Sequence, residues 1–530
     1  MAGLRRRIER TKARSSTPAP ARKPRPVDAD TVRVLRAALV VSVALFMLRL
    51  AVSSGTDFGD AEALYASYAL HPQPVYLDHP GLIGFIARLL GAGGAPSPAR
   101  AHVFTTVVAT LFPWLGALAA RASGASWRGA FRTVIGLALV PEFAIGLYAF
   151  APELPLAVTW MGALGLAAVG LRSTPGSYRA MSGILGAGVL VGLSCLSQAS
   201  GVLLGLALFI AFLSRPGRAH FRTPAPWVAM LLVGILVAPA VRWEAQSGYP
   251  LLHHRLVATQ AHAGLSLRNF GALVGGQLLY VTPPFLIAGW FLLRDVWKTR
   301  KDDSISHLLW IATVVPGAAL VVLCLWSRVA EPHWLAPAYL PLGIQLARSD
   351  VVGRKLALGS VITGAAIAAL AWVWVKTDLP IELMGSHYRA RYDLANDLYT
   401  WGPARQLLDD AIETTMIDSA RLPVVVGPHW VVCAQAQAAV GHKVPVGCNT
   451  TIRDDFDRWY PRKRWLDAPV VLYVTDSRFH IDPEKELPNR TVKSISRVAI
   501  RRGGHVVRTV RIVRLDKSSD VGLLHRRTPR

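Results

Sequence analysis

The chain of 530 residues reads as a polytopic α-helical membrane protein of about eleven spans with a C-terminal soluble α/β domain. Three observations carry that reading. Apolar residues make up 52% of the chain and Asp, Glu, Lys and Arg only 17%, where average soluble proteins carry roughly 25% charged residues. Apolar runs of about twenty residues, enough to cross a bilayer core, recur up to position 375. Beyond them the chain turns polar, with short Val-rich runs bounded by Pro, Gly and Asp. A mean hydropathy of +0.35 excludes the collagenous, disordered and disulfide-framework classes.

Residues 1–31 read as a basic arm. Residues 1–36 hold eleven Lys or Arg against three acids, spaced by Pro18, Pro20, Pro24 and Pro26, the composition of a disordered cytoplasmic segment. A cleavable signal needs a short apolar core and a small-residue cleavage site, whereas the run starting at Val32 is long enough to span. The membrane domain, 32–375, then has expected spans near 32–53, 101–121, 130–149, 154–171, 180–196, 199–214, 226–242, 271–293, 306–326, 333–348 and 355–375. Alternate connections carry the cations: Arg121, Arg128 and Arg132; Arg172 and Arg179; Arg215, Arg218 and Arg222; Arg294, Lys298, Arg300 and Lys301; Arg348, Arg354 and Lys355. Cation-rich short loops stay on the cytoplasmic side, so the net charge of +25 reports topology and no nucleic-acid partner is expected.

An odd span count places the first loop, 54–100, a second loop from Trp243 to Asn269 and a soluble domain, 376–530, outside. In that domain a helix is expected over Asp397–Ile412. Strand-like runs are expected over Pro423–Gly427, Pro469–Thr475 and Arg497–Arg514. Cys433 and Cys448 lie there, fifteen positions apart, in a compartment where disulfides persist. Cys195 and Cys324, in apolar runs, read as small buried hydrophobes.

The first loop is where chemistry concentrates. Short amphipathic helices are expected over 61–70 and 81–90, and Asp57, Asp60 and Glu62 fall within six positions. A partly desolvated carboxylate gains basicity and can take a proton from a hydroxyl nucleophile, although an isolated surface acid is also satisfied by water. Arg242, Arg255, Arg268 and Arg328 stand near external span ends, with His79, His253, His254 and His333. Such cations suit a departing phosphate or an anionic lipid headgroup. The His, Asp and Glu clusters could bind a divalent ion, but no HxxxH or CxxC spacing supports one, no loop cradles a nucleotide, and no cofactor is expected.

Five stretches together resemble one family. Ala61-Glu62-Ala-Leu-Tyr65 followed by Tyr76-Leu-Asp78-His79-Pro80-Gly81-Leu82 is similar to an Asp-Glu-Ala-x-Tyr and aromatic-x-Asp-His-Pro-Pro-Leu pair. Pro152-Glu153-Leu-Pro-Leu156 is similar to Pro-Asp-x-Pro-Leu, Gly192-Leu-Ser-Cys-Leu-Ser-Gln198 to Gly-Leu-x-x-Leu-Ser-Lys, Trp243-Glu244 through Gly248-Tyr-Pro250 to Trp-Asn-x-x-x-Gly-Trp-Pro, and Pro332-His333-Trp334 through Pro337-Ala-Tyr339 to Pro-His-Trp-x-x-Pro-x-Tyr. These motifs resemble the integral-membrane lipid-linked-sugar glycosyltransferases of the GT-C fold, in particular the aminoarabinose transferase and protein O-mannosyltransferase superfamily. The chain departs from the pattern at Ala61 (Asp), Gly81 (Pro), Glu153 (Asp) and Gln198 (Lys).

The resemblance implies a polyprenyl-phosphate-linked sugar as donor and a hydroxyl of an envelope lipid, glycan or protein as acceptor. It also implies inverting transfer on the external face of the bacterial inner membrane, with the N-terminus cytoplasmic, the C-terminal domain external and membrane lipids as partners. With Ala61 in the motif, the catalytic acid falls to Asp60, one position earlier, or to Glu62 or Asp57. Asp78, His79, Glu153, Arg242, Arg255, Arg268, Arg328 and His333 are the expected donor-phosphate and substrate contacts. Two other classes stay open. A lipid-linked-sugar flippase tends to show internal repeats and broken helices at the midplane, whereas the acids here gather at one face; a non-catalytic scaffold is the other.

Overall fold

The computed structural model describes residues 28–214, 217–260, 263–329 and 331–518; Arg215 and residues 1–27 of the basic arm lie outside them. Every expected span has a helix at its position, but not every helix is a span. Helices α1 (Ala29–Ser53), α4 (Pro98–Ala122), α7 (Glu153–Leu171), α8 (Tyr178–Ser197), α10 (Ala225–Gln246), α14 (Ser304–Trp326) and α16 (Arg354–Lys376) are long and apolar enough to cross a bilayer. Between them lie α2 (Asp60–Ser67) and α3 (Leu82–Leu90) of the first loop, α5 (Trp127–Leu139), α6 (Pro141–Ala144), α9 (Gly201–Phe212), α11 (Pro250–Leu256), α12 (Leu267–Tyr280), α13 (Pro283–Thr299) and α15 (Ala336–Arg348).

Against the expected eleven, seven helices, or up to nine spans if each bent pair is one, are long and apolar enough to cross a bilayer among the described residues. The segment at 130–149 bends by 75° after α5, and α12 and α13 meet at 94°. In each case a proline opens the second helix, and the residue before it, Val140 (ψ 121°) or Thr282 (φ 75°, ψ 148°), has left helical geometry, as steric conflict with the proline ring requires. Helices α9 and α15 have 12 and 13 residues, about 18 to 20 Å against a core of about 30 Å.

The bend at α6 is anchored by an arginine. Arg49 of α1 is 2% exposed, and its guanidinium donates to the carbonyls of Phe143 (3.1 Å) and Ala144 (2.8 Å). Backbone carbonyls released from a helix inside a bilayer need such a partner, because no water is available. At the end of the bundle away from the first loop, Arg132, Arg172 and Arg348 from three connections surround one polar cleft with Asp303 and Asp350. The cation-bearing connections at these positions thus share one end, as their alternation requires.

The C-terminal region begins with α17 (Asp397–Ser419) and builds a sheet of order β2-β1-β3-β5-β4 from β1 (Val424–Gly427), β2 (Val446–Cys448), β3 (Val470–Asp476), β4 (Arg490–Arg502) and β5 (His505–Lys517). β1 runs parallel to β2 and β3, and β5 antiparallel to β3 and β4. The run expected as one strand over 497–514 is a hairpin turning at Gly503 and Gly504, whose φ of 54° and 82° are the left-handed values that a two-residue turn demands. Two further helices, α18 (Trp430–Val440) and α19 (Asp455–Trp459), connect the strands, and Cys433 of α18 is disulfide-bonded to Cys448 at the end of β2.

This region rests on the first loop. Tyr65, Tyr68 and Ile83 of the loop share one apolar cluster with Val432, Leu472 and Val474. Tyr68 and Tyr76 stack at 3.6 Å, and Trp459 meets both edge-on while stacking on His71 at 4.2 Å. Arg502 at the hairpin tip pairs with Asp393 at 2.9 Å and donates to backbone carbonyls at the end of α16, tying the sheet to the last span.

Candidate active site

A cavity of about 690 Å³ opens where the first loop, the bundle and α18 meet. Its lining includes apolar residues of the bundle, Leu156 and Ala157 of α7, Leu340 of α15, and Ile367 and Ala371 of α16. It also includes Asp78 and His79 of the first loop with Glu142, Glu153, Arg255, Glu331 and His333, and the rings of Trp334 and Trp430.

Asp78 and His79 reach the cavity on a tight reversal in which the Gly81 N–H donates to the Pro74 carbonyl and the Tyr76 N–H to the His79 carbonyl, both at 2.9 Å. Gly81, where the resembled motif has Pro, has no room for a side chain: a Cβ there would lie 2.7 Å from the carbonyl oxygens of Gln73 and Pro74. Arg255 of α11 closes on this turn. It donates to the Asp78 carbonyl from Nε and Nη2, and Nη2 lies 3.2 Å from the Asp78 carboxylate and 3.4 Å from His79 Nε2. His254 adds a contact at 3.6 Å. Burial alone raises a carboxyl pKa, but the hydrogen bond from His254 and the charge of Arg255 hold Asp78 down at about 2. Burial, reinforced by Arg255, lowers His79 to about 4. At neutral pH His79 therefore offers hydrogen bonds rather than charge.

Glu153 opens α7, where the helix N-terminus favours an anion. Its Oε1 accepts from Gln198 Nε2 at 3.2 Å and lies 3.8 Å from His333 Nε2, while His333 Nδ1 is 3.2 Å from Glu331. Of the expected substrate contacts the cavity thus gathers Asp78, His79, Glu153, Arg255 and His333. Arg242, Arg268 and Arg328 are exposed and are not among its described lining residues.

The three acids expected to be catalytic face elsewhere. Asp57 accepts from the Gly402 N–H at 2.6 Å, fastening the loop to α17. Asp60 is ion-paired to Arg478 and accepts from Gln435 Nε2 at 3.3 Å. Glu62 is buried and accepts from the N–H groups of Gly59 and Phe150, both at 2.7 Å, and from His102 at 3.1 Å. Burial raises its pKa, and His102 and these amides outweigh that, for a net lowering. None of the three is among the cavity's described lining residues, and the α2 residue that lines it beside Leu64 and Tyr65 is Ala61.

Glu142, Arg478 and Trp430 escaped the sequence reading. Glu142 had a signal: it is the one acid inside the apolar run 130–149, and an ionisable residue within a span is a functional candidate by default. Arg478 had none, since its first-loop partner Asp60 lies 418 positions away. Among the described residues, no group of three or more His, Cys, Asp or Glu is placed to hold a metal ion.

The structure is thus a helical bundle bearing a loop-docked α/β region, with a cavity of mixed apolar and charged lining where they meet. Residues 78–243 match the model of the dolichyl-phosphate-mannose-protein mannosyltransferase family. The fold is similar to that of ArnT from Cupriavidus metallidurans in the apo state, with 13% identity and a TM-score of 0.60, over 90% of this chain and 98% of that one. It is also similar to the same protein bound to undecaprenyl phosphate, with 15% identity and a TM-score of 0.55, over 91% and 97%. No curated protein sequence matches. The chain is thus similar to that mannosyltransferase family over residues 78–243 and to ArnT in its overall fold.

Proposed function

We propose that the chain transfers a sugar from a polyprenyl phosphate to a hydroxyl of an envelope lipid, glycan or protein, with inversion, on the external face of a bacterial inner membrane. The cavity carries this reading: its lining combines apolar residues of the bundle with Arg255 and a set of ionisable side chains, matching a ligand with an isoprenoid tail and an anionic head. That the similar ArnT has been solved with undecaprenyl phosphate supports the same donor class here. Arg255 supplies the cation for the phosphate, His333 lines the same cavity, and the half-buried Asp78 keeps the guanidinium oriented. In the transfer, the acceptor oxygen bonds to the anomeric carbon as the bond from that carbon to the phosphate oxygen breaks. The phosphate leaves with the electron pair, and charge developing on it is stabilised by preorganised donors.

The test uses the purified chain in lipid nanodiscs with undecaprenyl-phosphate-linked sugars and envelope extract as acceptor. Release of undecaprenyl phosphate with label moving to the extract supports the reading. A scaffold binds the donor without releasing undecaprenyl phosphate, and a flippase moves intact donor across a bilayer; either result replaces it.

A further inference from the structure

We propose that Glu142 is the base that removes the acceptor's proton, in place of the first-loop acid that the cavity lacks; this rests on the function proposed above. The motif Asp-Glu-Ala-x-Tyr places its acid at Ala61 when aligned on Glu62 and Tyr65, and Ala61 does line the cavity. Its neighbour Asp60 is turned away to Arg478. The wall at the first turn of α2 therefore presents a methyl group where a carboxylate is expected.

Four carboxylates line the cavity, and three are engaged. Asp78 is held by Arg255 and His254, Glu153 by Gln198 and His333, and Glu331 by His333. An ion-paired or hydrogen-bonded carboxylate is a weakened base. Glu142 alone has no hydrogen-bond or ion-pair partner among the described residues. Glu142 is half-buried and lines the cavity, so its unengaged carboxylate can accept a proton from a bound hydroxyl. Its placement is also built. Glu142 lies on α6, the four-residue turn at the 75° bend, and the carbonyls of the two residues that follow it are gripped by the buried Arg49. His333 and Glu153 are its electrostatic neighbours, so it stands beside the groups assigned to the donor.

The proton balance is simple. The acceptor hydroxyl loses its proton to the Glu142 carboxylate as its oxygen bonds to the anomeric carbon, the phosphate departs with the electron pair of the broken bond, and Glu142 returns the proton to water after product release.

The experiment uses the full chain in nanodiscs with undecaprenyl-phosphate-linked mannose, aminoarabinose and N-acetylglucosamine; the donor that wild type turns over becomes the probe. Glu142→Gln keeps shape and removes basicity. It is expected to lower turnover by roughly 100-fold or more while undecaprenyl phosphate binding stays within about threefold of wild type, an estimate set by the loss of a group that does not contact the phosphate. Adding Ala61→Asp to Glu142→Gln is expected to recover roughly tenfold of the loss by returning a base to the same cavity, a gain that damaged folding cannot produce. Near-wild-type turnover in Glu142→Gln overturns the inference and leaves the function standing. Wild-type inactivity on all three donors overturns the function, and the inference with it.

Discussion

The Asp60 carboxylate is bound to the Arg478 guanidinium of the loop after β3, an ion pair that joins the first loop to the C-terminal sheet. Arg478 also holds Asp476 at 2.8 Å and Asp397 at 3.3 Å, and Arg508 meets Asp397 at 2.7 Å. Burial and then the nearby Asp60 charge raise the Asp397 carboxyl. One arginine thus compensates three acids from three parts of the chain. Removing it with Arg478→Ala leaves these acids facing one another. A loss of about 3 to 5 kcal/mol is expected, the usual cost of stripping one partner from a buried ionic cluster. Asp60→Asn keeps a hydrogen-bond acceptor and is expected to cost less than half of that while leaving turnover within about threefold of wild type, because the side chain points out of the cavity. Thermal unfolding and donor turnover of the two variants check this; a collapse of turnover in a folded Asp60→Asn protein would return Asp60 to the catalytic role.

The disulfide makes a separate prediction. Cys433 and Cys448 are fully buried, and their bridge ties α18, which supplies Trp430 to the cavity, to the sheet. A loop of 15 residues is worth about 3 kcal/mol in the chain-entropy model. Paired Cys→Ala substitution is expected to destabilise the region by about that amount. Thiol labelling of unreduced, denatured protein should modify only Cys195 and Cys324; labelling at Cys433 and Cys448 would contradict the bridge.

A pH effect follows from Asp455. Its carboxylate oxygens both accept from the Leu77 N–H at 3.2 Å, next to Asp78, and burial first, then the Asp78 charge, raises its pKa to about 8. Unfolded, the group returns to its ordinary value near 3.8. The folded state therefore binds the extra proton between those values. The stabilisation is complete below about 4 and is lost progressively as pH climbs to about 8, by at most about 1.4 kcal/mol per pH unit. Asp455→Asn, which preserves an acceptor for Leu77 without titrating, should flatten that part of the pH–Tm profile. Equal slopes for wild type and variant from pH 5 to 8 would remove Asp455 as the cause.

Local pattern located most of the elements, and the exceptions have physical reasons. The first-loop helices expected at 61–70 and 81–90 appear at Asp60–Leu70 and Leu82–Leu90, because each is a short apolar stripe bounded by Gly or Pro. Proline was the ambiguous sign. Pro113, Pro239 and Pro316 sit inside continuous helices, whereas Pro141 and Pro283 begin new ones, and what separates the cases is tertiary support such as Arg49 beneath the bend. In the site, the motif residues Asp78, His79, Glu153 and His333 do converge. The roles of Asp57, Asp60 and Glu62 were not legible because Gly402, Arg478 and Phe150, their partners, lie 345, 418 and 88 positions away.

The last prediction concerns the phosphate. The resembled motif has Lys at position 198, and here Gln198 donates to Glu153 at 3.2 Å while accepting from the Ser200 hydroxyl at 3.0 Å. The cation proposed for the phosphate is Arg255, whose guanidinium lies 6.0 Å from the Trp334 ring and 3.2 Å from the Asp78 carboxylate. Arg255→Ala should weaken undecaprenyl phosphate binding by roughly 10- to 150-fold, the range for losing hydrogen bonds to a charged group, about 1.5 to 3 kcal/mol. Arg255→Lys should fall between, since an ammonium keeps the charge but not the planar fork. Arg255→Ala also frees the Asp78 turn, so the measurement needs a partner variant. Gln198→Lys in the Arg255→Ala background places an ammonium in the same cavity without rebuilding that turn. Glu153 takes up part of its charge, so recovery of less than about tenfold is expected, for one exposed-to-intermediate ion pair of about 1 kcal/mol. Binding measured by isothermal titration with undecaprenyl phosphate separates the cases: recovery by Gln198→Lys shows that charge was missing, whereas no recovery alongside a lowered Tm assigns Arg255 to holding the turn.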